Sequence, residues 1–232
     1  MSLPKQKHTM YSITIPSTKK EYKFRPFNVR EEKNLTVAFE SDDPTTIINT
    51  LCDVIYDCFQ EKLDIHNLTT FDIEYIGTQL RSKSVGEMID LNMICSADNT
   101  HPTTLVRVDL TKIQVKFDPD HKTRFDLYDD VGIVMKYPPV KDIVSFTTMS
   151  DIEAMISCID YIYDSNSLYQ SKDTTFDELK AFIEDLSKSQ YEKIKKNFFD
   201  TIPVYEHEIE FTCSVCETKH KKIVRGLSNF FV

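Results

Sequence analysis

Near its end the chain carries the stretch Glu208-Ile-Glu-Phe-Thr-Cys213-Ser-Val-Cys216, followed by Lys219-His-Lys-Lys-Ile-Val224. The first part alternates polar and apolar residues up to a thiol, and the second part contains a β-branched run. This pattern predicts a strand, a turn with two cysteines and a return strand, a unit that we call a knuckle. The C-x-x-C spacing allows both thiols to ligate one metal ion.

An earlier stretch has the same organisation. It consists of Leu91-Asn-Met-Ile-Cys95, the turn Ser-Ala-Asp98-Asn-Thr-His101 and the return strand Leu105-Val-Arg-Val-Asp-Leu110. Tetrahedral zinc takes four N or S ligands at about 2.0–2.3 Å, and two facing knuckles that supply two ligands each form a zinc ribbon. The two stretches therefore predict a structural zinc site, for which we select Cys95, His101, Cys213 and Cys216.

Two residues are candidates for the second metal ligand of the first knuckle. Asp98 stands at the C-x-x-C spacing from Cys95, whereas His101 follows three residues later. Neutral imidazole is the better partner for thiolates, so His101 ranks above Asp98. A further alternative is that the site binds no metal and that Cys95 is an isolated thiol. His220 could also approach the metal, but in an alternating strand we expect it, with Lys219 and Lys221, to cover a solvated face.

Cys52, Cys58 and Cys158 fall on or beside apolar stripes, so we expect them to be core or boundary thiols. A redox pair of the thioredoxin kind needs a helix after its first cysteine, but a β-branched run follows here. A nucleic-acid-binding ribbon is the alternative function, because Lys219, Lys221, Lys222 and Arg225 form a local basic patch.

Composition disfavours several classes of protein. The 232 residues include 28 basic and 37 acidic ones, and a net charge of −9 repels nucleic acid and favours basic protein partners. The four glycines lie too far apart for a phosphate-binding loop, and G-x-S-x-G and H-E-x-x-H are absent. We therefore predict that the protein is not an enzyme.

No apolar stretch approaches the 18 or so residues that a membrane span needs, and the N-terminus does not resemble a signal peptide. We expect a soluble cytoplasmic protein without membrane contact.

The periodicity of the chain predicts an α+β fold. A β-hairpin over Met10 to Asn28 is followed by helices that begin near Val29, Pro44 and Thr69. Short β runs extend from Met88 to Lys136, and a last β segment extends from Val204 to Arg225. The helices predicted between these two β regions are Ile143 to Phe146, Met149 to Tyr163, Thr175 to Leu186 and Gln190 to Phe198.

We therefore expect an antiparallel, zinc-ribbon-like β region built from two distant hairpins, with a helical insert between them. The expected segments are an N-terminal hairpin and helical region at 1–86, a β region with the first knuckle at 87–138, the helical insert at 139–200, and the second knuckle with the C-terminal tail at 201–232, packed against 87–138. The tail contains Leu227, Phe230, Phe231 and Val232, which either form a docking peptide or fold back onto the helices.

Several short motifs occur in a characteristic order. They are Ile13-x-Ile15-Pro16-Ser17, Arg25-Pro26-Phe27, Glu31-Glu32-Lys33-x-Leu35, Asp72-x-Glu74-Tyr75-Ile76, Leu80-Arg81-x-x-Ser84-x-Gly86, Met135-Lys136-Tyr137-Pro138, Phe211-x-Cys213-x-x-Cys216 and Gly226-Leu-x-x-Phe230-Phe231. In this order, over nearly the whole chain, they resemble the baseplate hub assembly proteins of T-even-type contractile-tailed phages. The family's first knuckle carries two cysteines, and here Asp98 or His101 replaces the second.

The resemblance implies a late, non-enzymatic role in assembly of the central hub of the tail baseplate, as an assembly chaperone or as a hub component. It implies contacts with other hub or tail proteins, and self-association is compatible with it. The expected location is the host cytoplasm during assembly. Whether the protein then leaves the particle or stays in the virion tail is open.

Overall fold

The computed structural model describes residues 7–226 and confirms the α+β class. The chain divides into two compact units. Unit 1 contains residues up to Lys116 and from Tyr205 onward, and unit 2 contains Phe117–Val204. The segment boundaries expected from the sequence at 86, 138 and 200 stay a prediction. The apolar tail at 227–232, expected either to form a docking peptide or to fold back onto the helices, lies outside the residues that the structure describes.

Unit 1 begins with a hairpin and three helices, followed by three short strands. Their bounds are β1 (Tyr11–Thr14), β2 (Glu21–Phe24), α1 (Val29–Glu40), α2 (Pro44–Cys58), α3 (Thr70–Ser84), β3 (Met88–Met93), β4 (Thr104–Asp109) and β5 (Val115–Lys116). The predicted hairpin is confirmed by the antiparallel pairing of Tyr11 with Phe24.

Local sequence accounts for where the three helices begin. The Asn28 side chain caps α1, and Pro44 occupies the first turn of α2, where no intrahelical N–H is needed. Thr69 and Asp72 form a capping box at the start of α3. The buried Asp72 carboxylate also accepts hydrogen bonds from the backbone N and the Oγ of Ser17, at 2.9 and 2.5 Å. The turn after β1 is thereby fixed to the start of α3.

Unit 2 is a four-stranded antiparallel sheet with helices. Its elements are β6 (Arg124–Tyr128), β7 (Val131–Met135), α4 (Ile143–Phe146), α5 (Asp151–Ser157), β8 (Ile159–Tyr163), β9 (Leu168–Gln170), α6 (Phe176–Glu184) and α7 (Lys188–Asn197). The strand order is β6-β7-β8-β9. Apolar side chains from β6, β7, α5, β8, α6 and α7 form one buried core.

The helix predicted from Met149 to Tyr163 is wrong beyond Ser157. Ile159–Tyr163 instead forms β8, which pairs with β7. The apolar residues of this stretch fit a helical period, but its last five residues are largely β-branched or aromatic. Pairing with β7 and β9 therefore determines the local structure, and the insert is a mixed sheet and helix unit rather than a helical one.

The chain returns to unit 1 through β10 (Val204–Thr212) and β11 (Lys219–Arg225). These strands form an antiparallel hairpin, and β10 also pairs with β5 in a three-stranded sheet. The first knuckle, β3 with β4, is a separate two-stranded sheet. Both predicted hairpins are thus present in unit 1. Within residues 7–226, no helix combines the length and apolar character needed to span a bilayer.

Candidate metal centre

The turn of the first knuckle surrounds the sulfur of Cys95. The hairpin pairing ends at Met93 and Thr104, and Cys95 lies just beyond it in a buried position. Hydrogen bonds from the backbone N–H groups of Ala97 and Asp98 reach the Cys95 thiol. A sulfur that receives two N–H donors is suited to the thiolate form that binds metals.

The second knuckle repeats this arrangement. Val215 and Cys216, at the same two offsets, direct backbone hydrogen bonds to the buried Cys213 thiol. The turn is closed by hydrogen bonds from Cys213 N to Thr218 O and from Glu217 N to Cys213 O, at 3.0 and 3.1 Å. Glu217 has a φ of 56°, a left-handed conformation that the tight turn requires. Asp98 therefore corresponds to Cys216 in backbone position.

The structure brings the four selected residues together. One donor atom each from Cys95, His101, Cys213 and Cys216 lies within 4.8 Å of all the others. Cys95 and Cys216 come within 3.8 Å (Sγ to Sγ), and Cys213 Sγ lies 3.5 Å from His101 Nδ1. All the cysteines are free thiols.

These distances fit a tetrahedral ion. Zinc bonds of about 2.3 Å to sulfur and about 2.0–2.1 Å to nitrogen give S···S edges of about 3.8 Å and S···N edges of about 3.6 Å. The two short contacts match both edges. The donor set is also one that structural zinc sites use, three thiolates and one imidazole.

His101 and Asp98 hold different positions in the cluster. The Nδ1 atom of His101 faces Cys213, whereas its Nε2 atom lies 3.5 Å from Asp98 Oδ2. Asp98 Oδ1 accepts hydrogen bonds from the backbone N and the Oγ1 of Thr100. A carboxylate behind the second nitrogen of a ligating histidine orients the ring and fixes its tautomer.

His220 is also close to the cluster, whereas the sequence favoured a solvated face of its strand for this residue. Its Nε2 atom lies 3.3 Å from Cys95 Sγ, and its ring packs against the ring of Phe211, 5.0 Å between centroids. Phe211 and His220 are direct cross-strand partners in the hairpin. Position 220 pairs with Phe211, one residue pair away from the second cysteine turn. This register was the signal that could have placed His220 near the thiols.

Electrostatics separates two classes of cysteine. Burial raises the pKa of Cys52 and Cys158 to about 11 and that of Cys58 to about 12, so these are inert core thiols, as predicted. Hydrogen bonds from the side chain and backbone of Thr218 lower the pKa of Cys216 to about 6. Backbone hydrogen bonds lower the pKa of Cys213, while burial raises that of Cys95. Contact with Cys213 raises the pKa of His101.

The fold and the cluster define an α+β protein with a Cys/His group suited to a metal ion. The family model described as T4 bacteriophage base plate protein matches residues 8–232. The chain therefore belongs to the T4-type phage baseplate protein family. Membership gives it a structural role in the phage tail baseplate, in contact with other tail proteins. No curated protein and no solved structure gives a significant match.

Proposed function

We propose that the protein acts without catalysis in assembly of the central hub of the baseplate, as an assembly chaperone or as a hub component. Family membership supports a baseplate role, and the motif order supports the hub. The cluster supports a structural rather than a chemical task, because all four donors come from the protein and leave no open position for a substrate.

A zinc ion held by the four donors is the second part of the proposal. The ion would fasten the turn after β3 to the turn after β10, and these turns belong to two sheets without a shared strand. His101 is the fourth ligand in this proposal, and Asp98 and His220 support the ligands from behind. Thiolates and imidazole that bind the ion must lose their protons, so binding weakens in acid.

With zinc joining the two knuckles, their solvent-exposed surface would be held in one arrangement for binding partner proteins. The chain carries a net charge of −9, which complements basic tail proteins and predicts that binding weakens with salt. We expect assembly in the host cytoplasm.

The nucleic-acid alternative receives less support from β11. Lys221 donates hydrogen bonds to Glu208 and Glu210 across the hairpin, with Nζ–O distances of 2.8 and 2.9 Å. The Arg225 guanidinium pairs with Glu206 at 2.6 Å. These acidic partners cancel much of the positive charge that the sequence suggested. A gel shift with nonspecific duplex at low salt decides this alternative, since binding to phosphates is strong there and falls steeply with added salt.

The hub proposal is tested in a phage that lacks the gene and is complemented with the wild-type protein, Cys213→Ala or Cys52→Ala. We expect normal hubs from the wild type and from the core control, and a deficit of hubs from Cys213→Ala. Hubs that assemble normally without the protein would contradict the hub role. Quantification of the protein in finished tails and in assembly intermediates separates a component from a chaperone.

A further inference from the structure

A groove on unit 1 lies between α1 and the end of α3, and it has a volume of about 490 Å³. Its apolar lining comes from Leu35 and Phe39 on α1, Val85 just after α3 and Phe27 in the segment before α1. The backbone N of Phe27 donates a hydrogen bond to Ser84 Oγ at 2.9 Å, which attaches that segment to the end of α3. An apolar cleft of this size accepts a few side chains of another molecule.

The apolar lining is only partly covered by the described part of the chain. Val85 is 56% exposed, and Phe27 and Phe39 are half-buried, whereas Leu35 is buried at the floor. Single exposed apolar residues are common on protein surfaces, but several around one cleft indicate a binding surface.

Charged side chains also line the groove. Glu32 and Glu40 on α1 are exposed, and neither carboxylate pairs with Arg81 or with another cation among residues 7–226. Arg81 instead donates a hydrogen bond from Nη1 to the backbone oxygen of Gly86 at 3.3 Å. A cation in the last turn of a helix is favourable because it faces the negative end of the helix dipole. Two carboxylates therefore remain without a counter-charge, and they favour a partner that is basic as well as apolar.

Helix geometry sets the spacing that such a partner needs. Glu32 and Glu40 are eight residues apart, which corresponds to about 12 Å along α1. Leu35 and Phe39 lie between them at a spacing of four residues, so they form an apolar row on the neighbouring face. A helix laid along α1 matches this row with apolar side chains at i and i+4, and it matches the carboxylates with basic residues about two turns apart.

We propose that this groove binds an amphipathic helix of another tail protein. The apolar side chains of that helix contact Leu35, Phe39 and Val85, and its flanking lysines or arginines pair with Glu32 and Glu40. The inference deepens the proposed contact with basic tail proteins and rests on it, but it depends neither on zinc nor on the hub role. None of the four cysteine-cluster residues lines the groove, so the two sites are tested separately.

Binding of a synthetic peptide to the full chain tests the proposal. The probe is a helix-forming peptide of about twelve residues, with two lysines about two turns apart and two leucines between them on the same face. The control peptide carries glutamates in place of the lysines. We expect the lysine peptide to shift the methyl NMR signals of Leu35 and Val85 but not that of Val37, which is exposed on α1 outside the groove.

Three results would overturn the proposal. The first is the absence of any shift of Leu35 and Val85 at millimolar peptide. The second is an equal shift with the glutamate peptide. The third is a dependence of these signals on protein concentration without peptide, which would show that a second copy covers the groove.

A pair of valine variants tests the apolar contact. Val85 is 56% exposed and Val37 is 58% exposed, so an aspartate is tolerated at either position. Val85→Asp should weaken binding of the lysine peptide at least about tenfold relative to Val37→Asp, because only Val85 lines the groove. Equal affinities of the two variants would contradict docking at this site.

A pair of double variants tests the charged contacts. Glu32→Gln/Glu40→Gln should weaken the lysine peptide about three- to tenfold at low salt, because two exposed ion pairs are lost. Glu21→Gln/Glu61→Gln removes the same charge from exposed positions outside the groove and is the matched control. Equal affinities of the two double variants would contradict the basic partner. The hub test uses Cys213→Ala, outside the groove, so failure of the peptide to bind is distinguishable from failure of the hub role.

Discussion

Cys95 Sγ lies 3.8 Å from Cys216 Sγ, although 121 residues separate the two cysteines in the chain. Unit 2, residues Phe117–Val204, lies between them in the sequence. Closing a loop of this length costs conformational entropy, which native contacts must offset. An ion bound by both turns would supply one such contact where the two knuckle sheets share no strand.

The different positions of His101 and Asp98 give a first prediction. Asp98→Asn keeps an oxygen for the Thr100 hydrogen bonds but removes the charge that faces His101. We expect this variant to bind zinc in full stoichiometry with about 10–100-fold lower affinity, whereas His101→Ala loses the ion. Competition with a chromogenic chelator measures both. Retention of zinc by His101→Ala together with its loss from Asp98→Asn would assign the ligand to Asp98 instead.

His220 is expected to support the Cys95 thiolate rather than to ligate the ion. His220→Ala should leave zinc stoichiometry unchanged and weaken affinity about tenfold, because a supporting partner of a ligand is removed. His207→Ala is the matched control, since His207 lies in the same hairpin opposite Val224. The ratio of chelator-competition constants is the measurement. No difference between the two variants would show that the His220 contact does not act on the site.

Glu74 should make the stability of the protein depend on pH. Burial raises the pKa of its carboxyl group from 4.5 to about 7. An acid with a raised pKa in the folded state contributes its stability below the unfolded pKa and loses it as pH rises toward the folded pKa. Glu74→Gln should therefore match the wild type near pH 4.5 and exceed it by up to about 3 kcal/mol above pH 7.

Urea unfolding of wild type and Glu74→Gln across this pH range measures the difference in the free energy of unfolding. Glu21→Gln, at an exposed position of β2, is the control. A constant difference between wild type and Glu74→Gln at every pH would contradict a titrating carboxyl group.

Gly132 is a packing requirement of unit 2. A β-carbon at this position in β7 would clash with Tyr163 Oη and would lie 2.7 Å from the backbone oxygen of Phe125. Gly132→Ala should destabilise the protein by about 1–3 kcal/mol. In a Tyr163→Ala background, Gly132→Ala should cost less stability than it does in the wild type, because the clash with the Tyr163 ring is gone. Some cost should remain, because the close contact with the Phe125 backbone oxygen is unchanged. A fully neutral Gly132→Ala would contradict the packing of β7 against β8.

Sequence reasoning succeeded where local chemistry determines structure. The helix starts near Pro44 and Thr69 and the two cysteine turns follow from residue type and spacing. It failed at Ile159–Tyr163, where strand pairing with β7 overrides an apolar pattern that also fits a helix. Pairing with Phe211 places His220 near the second cysteine turn, but its contact with Cys95 depends on how two hairpins separated by 125 residues face each other.

The zinc content of the purified protein tests the central claim most directly. Elemental analysis of protein prepared without added metal should find roughly one zinc per chain in the wild type and in Cys52→Ala, and almost none in Cys213→Ala. Cys52 is the matched control because it is a buried thiol in α2 outside the cluster. A wild-type protein that is fully folded and free of metal would contradict the claim that zinc joins the two knuckles.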